Sequence, residues 1–167
     1  MPKLVTNEYC TGCTACASVC PKGCIAMAAD ENGFIYPVID AELCVECALC
    51  EKTCPVATPL TMAESEPKAY AAYSKDEAVR MQSSSGGIFT EVAKAILANG
   101  GVVFGAAYNA RFEVVHTCVD SEAELAKLRG AKYAQSDLRG IFTKVKAILD
   151  NGQQVLFSGT PCQVGGL

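Results

Sequence analysis

Cys10, Cys13, Cys16 and Cys20 stand in the order C-x2-C-x2-C-x3-C, followed at once by Pro21. The run recurs 34 residues later as Cys44, Cys47, Cys50 and Cys54, followed by Pro55. Thiolates are soft ligands, and eight of them in this spacing point to iron–sulfur clusters or to thiolate-bound zinc. Three thiols at successive three-residue steps on a loop can wrap three corners of a four-iron cube. Zinc ribbons use two C-x2-C pairs and leave the third cysteine and the Cys-Pro without a purpose. Disulfides are the remaining option. The total of eleven cysteines is odd, however, and the opening Met1-Pro2-Lys3-Leu4-Val5-Thr6-Asn7-Glu8 has no apolar stretch of the kind an export signal needs. Clusters in a cytoplasmic protein are the expected reading.

The doubled run resembles that of the bacterial two-cluster ferredoxins. In that pattern the cysteine ahead of proline serves the other cluster. The resemblance therefore implies one 4Fe-4S cluster held by Cys10, Cys13, Cys16 and Cys54, and a second held by Cys44, Cys47, Cys50 and Cys20. Gly12 lets backbone N–H groups approach cluster sulfurs in the first loop, whereas its counterpart in the second is Glu46, so the two clusters are expected to differ in potential. Cys24 and Cys118 read as small buried hydrophobes. His116, the sole histidine, reads as structural, and its solitude argues against a Ser-His-Asp mechanism.

The ligands need a frame. The repeat predicts a duplicated loop–helix–strand unit, with short helices near residues 14–20 and 48–54. Ile25-Ala26-Met27 and Phe34-Ile35-Tyr36 flank Asp30-Glu31-Asn32-Gly33, which reads as a hairpin turn. So short a segment cannot bury a self-sufficient core, and its metal is expected to supply the folding free energy. A ferredoxin domain is thus expected over residues 1–57, and a linker over 58–67, where two prolines break any apolar period.

From residue 68 onward helical and strand patterns alternate. Ala69–Tyr73 is a strand candidate, and Ile88, Phe89, Val92, Ala93, Ile96 and Leu97 form a helical stripe ended by Asn99-Gly100. Val102–Ala107 and Phe112–Val119 read as strands. Ser121-x-x-Glu124 reads as a capping box opening a short helix through Leu128. Ser136 or Asp137 is expected to open a longer helix, Asn151-Gly152 to end it, and Gln154–Phe157 to form the next strand. Thr160 caps a further helix with Pro161 at its first position. The fold class expected is α+β, a two-cluster module followed by a mixed α/β domain over 68–167 that looks cut short.

Charge separates the two parts. The 167 residues carry a net charge of −4, and all of it lies in the first sixty, where Lys3, Lys22 and Lys52 face seven acids. An acidic shell is unsuited to phosphate contacts, which excludes nucleic acid, and it suits docking to a basic redox partner or solvation alone. Charged residues make up 19%, no apolar run is long enough to span a membrane, and disorder is not expected.

Three stretches of the second part carry a further resemblance. Ser83-Ser84-Ser85-Gly86-Gly87-Ile88-Phe89-Thr90, Leu128-Arg129-Gly130-Ala131-Lys132-Tyr133-Ala134-Gln135-Ser136 and Phe157-Ser158-Gly159-Thr160-Pro161-Cys162-Gln163 follow in that order. With the cysteine repeat, they resemble the N-terminal part of the coenzyme F-420 hydrogenase/dehydrogenase beta-subunit family. The resemblance implies an iron–sulfur flavoprotein that binds FAD and relays electrons between 4Fe-4S clusters and a hydride donor or acceptor, alongside other oxidoreductase subunits. The alternative is a non-enzymatic ferredoxin-type carrier whose second domain only docks a partner. A third is a chain that holds clusters but lacks the rest of a flavin pocket.

Candidate flavin contacts follow. Ser84, Ser85, Gly86 and Gly87 precede a helix, where free N–H groups and the dipole favour pyrophosphate; a plain N-cap is the other reading. Lys132 and Tyr133 are candidates near a flavin carbonyl or phosphate, or a solvated loop. Thr160 and Cys162 lie at a strand-to-helix turn, where a thiol could serve redox chemistry or simply pack.

Overall fold

The computed structural model describes residues 1–59 and 66–167. It is α+β, as expected, and divides into two compact units. The first comprises Met1–Met62 with Leu138–Thr143 and Gly159–Leu167, and the second Ala63–Asp137 with Lys144–Ser158. The expected ferredoxin segment is therefore joined in its unit by two stretches distant in sequence. Part of the expected linker, residues 60–65, lies outside the described residues.

In the first unit two short helices, α1 (Ala15–Val19) and α2 (Leu49–Lys52), sit at equivalent points of the cysteine repeat. Strands β1 (Ile25–Ala29) and β2 (Ile35–Ile39) pair antiparallel, with Ile25 opposite Ile39 and Ala29 opposite Ile35. Asp30 closes the turn between them: its Oδ1 accepts from the N–H groups of Asn32 and Phe34 at 2.9 and 2.8 Å. Such Asx contacts satisfy turn backbone that has no strand partner. One buried cluster consists of Cys24, Ile25 and Cys50, with Leu4, Ala17, Ile39 and further cysteines packed around them. Ala15, Leu138 and Phe142 of the same unit are buried as well. In the Cys24 cluster cysteine sulfur does much of the work that aliphatic carbon does in an ordinary core.

The second unit opens with α3 (Glu77–Met81) and α4 (Ile88–Ala98), then β3 (Val102–Tyr108) and β4 (Val114–Val119). Helix α5 (Ile141–Asp150) has its first three residues in the first unit and the rest in the second, β5 (Val155–Phe157) follows in the second, and α6 (Pro161–Gly166) belongs to the first. The sheet order is β4-β3-β5, antiparallel on one side of β3 and parallel on the other. Central β3 is almost wholly buried and apolar, as a strand covered on both faces should be. Ala93, Val103, Ala107, Val119, Leu125 and Leu128 form the core, with Phe89, Ile96, Leu97 and Leu156 against it.

Three expectations are corrected. Ala69–Tyr73 is not a strand: Tyr70 and Tyr73 are exposed, and the backbone bond nearest this segment is Ser74 N–H to Gly86 O. A strand needs a ladder, and apolar alternation alone does not supply one. The Ser121 capping box does not form, since Ser121 makes no side-chain cap bond and Glu124 pairs with Lys127; residues Glu122–Lys127 are a 3-10 helix. Helix α5 starts at Ile141 rather than Ser136 or Asp137. The Asp137 backbone instead exchanges hydrogen bonds with Val114 and His116 beside β4, which commits it to extended geometry.

Candidate functional site

The two ligand loops share a backbone device. Gly12 and Thr14 flank Cys13 with φ of +63° and +65°, and Glu46 and Ala48 flank Cys47 with φ of +54° and +57°. Left-handed residues in a loop redirect backbone N–H groups, and where they alternate with right-handed ones they form a nest suited to anions and to iron–sulfur sites. Only glycine adopts this region freely, so the device costs strain at Thr14, Glu46 and Ala48. That four residues at two equivalent places hold it says that the loops are shaped for a common ligand.

The cysteines sort by place. Cys10, Cys13, Cys16 and Cys54 line one cavity, with Leu4, Val5, Met27, Pro37 and Val56 among its apolar walls. Cys20, Cys44, Cys47 and Cys50 line another, together with Cys24, Ile25, Ile39 and Leu49. Each cavity thus takes three thiols from one run and the pre-proline thiol of the other. Among the described residues no three His, Cys, Asp or Glu side chains close on a point as a single ion would require. Two donor sets of four soft sulfurs, each in an apolar pocket beside a nest, fit a 4Fe-4S cluster apiece.

Burial sets the charge state of these thiols. It pushes Cys13 and Cys50 up, and Cys16 up to about 12, so they are neutral in the metal-free chain at physiological pH. Iron binding requires thiolates and therefore releases these protons. Cys24 and Cys20 form a pair with Sγ–Sγ 3.3 Å. The bond to Cys20, with burial added, raises Cys24 to about 11. Burial opposes ionisation of Cys20, yet the Cys24 N–H and thiol and the N–H groups of Lys22 and Gly23 outweigh it and lower Cys20. Either thiol of the pair can donate. The sequence reading of Cys24 as a small buried hydrophobe accounts for its 5% exposure but not for this bond. The signal available was its place four residues after Cys20.

Helix α6 completes the first unit. The Thr160 N–H donates to Gln163 Oε1 at 2.9 Å, and Pro161 occupies the first helical position, as expected. A Cβ on Gly166 would lie 3.2 Å from Cys13 Sγ and 3.0 Å from Ala15 Cβ, so the helix backbone runs against the first ligand loop. Cys162 Sγ lies 3.1 Å from Thr160 Oγ1.

In the second unit Ser84, Ser85 and Gly87 line a cleft at the start of α4, with Ser83, Thr90, Arg129, Gly130 and Ser158. Its volume of about 200 Å³ is below the ~300–1,000 Å³ of whole-ligand sites and suits a phosphate-sized portion of one. Gly86 holds the loop in place: a Cβ there would lie 2.6 Å from the Ala72 carbonyl oxygen. The Arg129 guanidinium is fixed at the wall by Thr90 Oγ1 at 3.2 Å and Gln82 Oε1 at 2.6 Å. Arg129 was not singled out from sequence, although it stands inside the Leu128–Ser136 stretch. Lys132 and Tyr133 do not line this cleft. Lys132 Nζ donates to the carbonyls of Arg129 and Lys127 at 2.8 and 3.3 Å, burial lowers its pKa, and Tyr133 is fully exposed.

His116 joins two of the three motif stretches. Its Nε2 lies 2.9 Å from the Ser158 carbonyl and its Nδ1 2.7 Å from Ser136 Oγ, and it stacks on Phe157 at 5.1 Å. A carbonyl only accepts, so Nε2 carries the proton and Nδ1 accepts from the serine. Burial lowers the pKa and keeps the ring neutral. The structural reading of His116 is therefore sharpened into a brace behind the cleft wall.

No curated protein sequence matches the chain. Residues 9–58 match the 4Fe-4S dicluster domain, and residues 69–142 match the coenzyme F420 hydrogenase/dehydrogenase beta subunit N-terminal domain. The second match takes in the Ser83 and Leu128 stretches and ends before Phe157. No helix among the described residues is long and apolar enough to cross a membrane. The cysteine-lined cavities and the two matches together make this an iron–sulfur redox subunit, similar over residues 9–58 to the 4Fe-4S dicluster domain and over residues 69–142 to the F420 hydrogenase/dehydrogenase beta subunit N-terminal domain.

Proposed function

We propose that the chain is the electron-relay part of an iron–sulfur flavoprotein oxidoreductase. Cys10, Cys13, Cys16 and Cys54 would hold one cluster, and Cys44, Cys47, Cys50 and Cys20 the other. The observation that carries this reading is the sorting of the eight thiols into two cavities, each drawing on both runs. The clusters would supply one-electron transfer, and a flavin would exchange single electrons for a hydride. The chain's own contribution is to fix the sulfurs, exclude water with apolar walls and present nest N–H groups.

The cleft of Ser84, Ser85, Gly87 and Arg129 fits a phosphate of FAD, through α4 N–H groups, hydroxyls and a guanidinium. The acidic first sixty residues suit a basic redox partner or companion subunit.

Anaerobic reconstitution with iron, sulfide and FAD tests the reading. Two clusters and a bound flavin that is reduced through them support it. Two clusters with no flavin uptake favour the ferredoxin-type carrier instead, and failure to assemble two clusters overturns both.

A further inference from the structure

Thr14 carries a hydroxyl with nothing to do. The residue is 4% exposed, and its Oγ1 has no hydrogen-bond partner among the described residues. Buried hydroxyls without partners are rare in native proteins and need a reason. Thr14 lines the cavity of Cys10, Cys13, Cys16 and Cys54, directly after the ligand Cys13. The equivalent residue of the second repeat, 34 positions on, is Ala48, which shares the left-handed backbone and has no hydroxyl. The backbone geometry of the loop therefore does not call for threonine.

Resting on the two-cluster reading above, we propose that the Thr14 hydroxyl donates a hydrogen bond to the sulfur of the first cluster and raises its potential. Each hydrogen bond to cluster sulfur stabilises the reduced, more negative state and raises the potential. The loops also differ at Gly12 and Glu46, and Cys24 stands beside Cys20 at the second cavity, so the hydroxyl is one of several differences between the centres. Its own effect is to make the Cys10–Cys13–Cys16–Cys54 centre a more favourable resting place for the electron.

The test is a potentiometric titration of the reconstituted protein followed by electron paramagnetic resonance, with signals assigned through Cys54→Ser. Thr14→Ala copies the residue that the second loop already accommodates, so the loop should still form. It should keep full iron and sulfide, move the first cluster to a more negative potential and leave the second in place. Thr14→Ser should restore the wild-type value. Unchanged potentials in Thr14→Ala overturn the proposal, as does loss of the first cluster, which would make the role structural. If the wild type itself assembles fewer than two clusters, the two-cluster reading fails and this inference fails with it.

Discussion

The sulfurs of Cys20 and Cys24 stand 3.3 Å apart, within hydrogen-bond reach of each other. Only Cys20 belongs to the C-x2-C-x2-C-x3-C run, and as an iron-bound thiolate it would accept from the Cys24 thiol. Cys20→Ala should remove a ligand and about half of the iron, whereas Cys24→Ala should keep the iron and lose only a hydrogen bond to cluster sulfur. Iron and sulfide content distinguish the two. Equal loss of iron in both variants would contradict the assignment.

Cross-ligation predicts an asymmetry that sequence neighbours would not. Cys54 sits in α2's run but lines the cavity of Cys10, Cys13 and Cys16. Cys54→Ala should therefore damage the cluster of the first run and spare that of Cys44, Cys47 and Cys50. Resonance spectra of the reconstituted variant read this directly.

Iron removal should unfold the first unit. The core beside the ligand loops is Cys24, Ile25 and Cys50 with few aliphatic partners, and so small a cluster offsets little of the backbone entropy of this segment. A chelated sample should lose the circular dichroism of residues 1–57 while the sheet of the second unit persists. Native-like protection from hydrogen exchange at β1 and β2 in the iron-free chain would sink the prediction.

His116 makes the second unit acid-sensitive. Its folded pKa lies below the ordinary 6.5 because burial disfavours the charged ring. The unfolded chain then takes up the proton first, so the stability is present above about pH 6.5 and is lost as pH falls through the folded value. His116→Phe should remove this pH dependence. It should also cost about 1–3 kcal/mol by stripping the Ser158 carbonyl of its donor. Melting curves at a series of pH values measure both.

Gly86 is the tightest point of the cleft loop. A methyl group there meets the Ala72 carbonyl at 2.6 Å, so Gly86→Ala should destabilise the second unit by about 1–3 kcal/mol and weaken flavin uptake. Denaturant titration checks the first effect and flavin fluorescence quenching the second.

Local order is where the amino-acid sequence spoke most clearly. The spacing of the eight thiols, the Asp30–Gly33 turn, the apolar stripe of α4 and the Thr160-Pro161 helix start all depend on residues within a few positions of one another. Their physics is complete in the local chain. What the tertiary structure decided depends on partners far away in sequence. Ala69–Tyr73 lacked a neighbour to pair with, and Asp137 was drawn from a helix start to the edge of β4. His116 was legible only as a buried ring until Ser136 and Ser158 were brought to its two nitrogens. Gly12 and Glu46 looked unlike each other as residue types, yet both adopt the same left-handed turn, because the loop, not the side chain, sets the backbone there. The doubled cysteine run announced clusters from the sequence alone. Which hydroxyl and which spare thiol stand beside them was settled only by folding, since burial and orientation are properties of the packed chain.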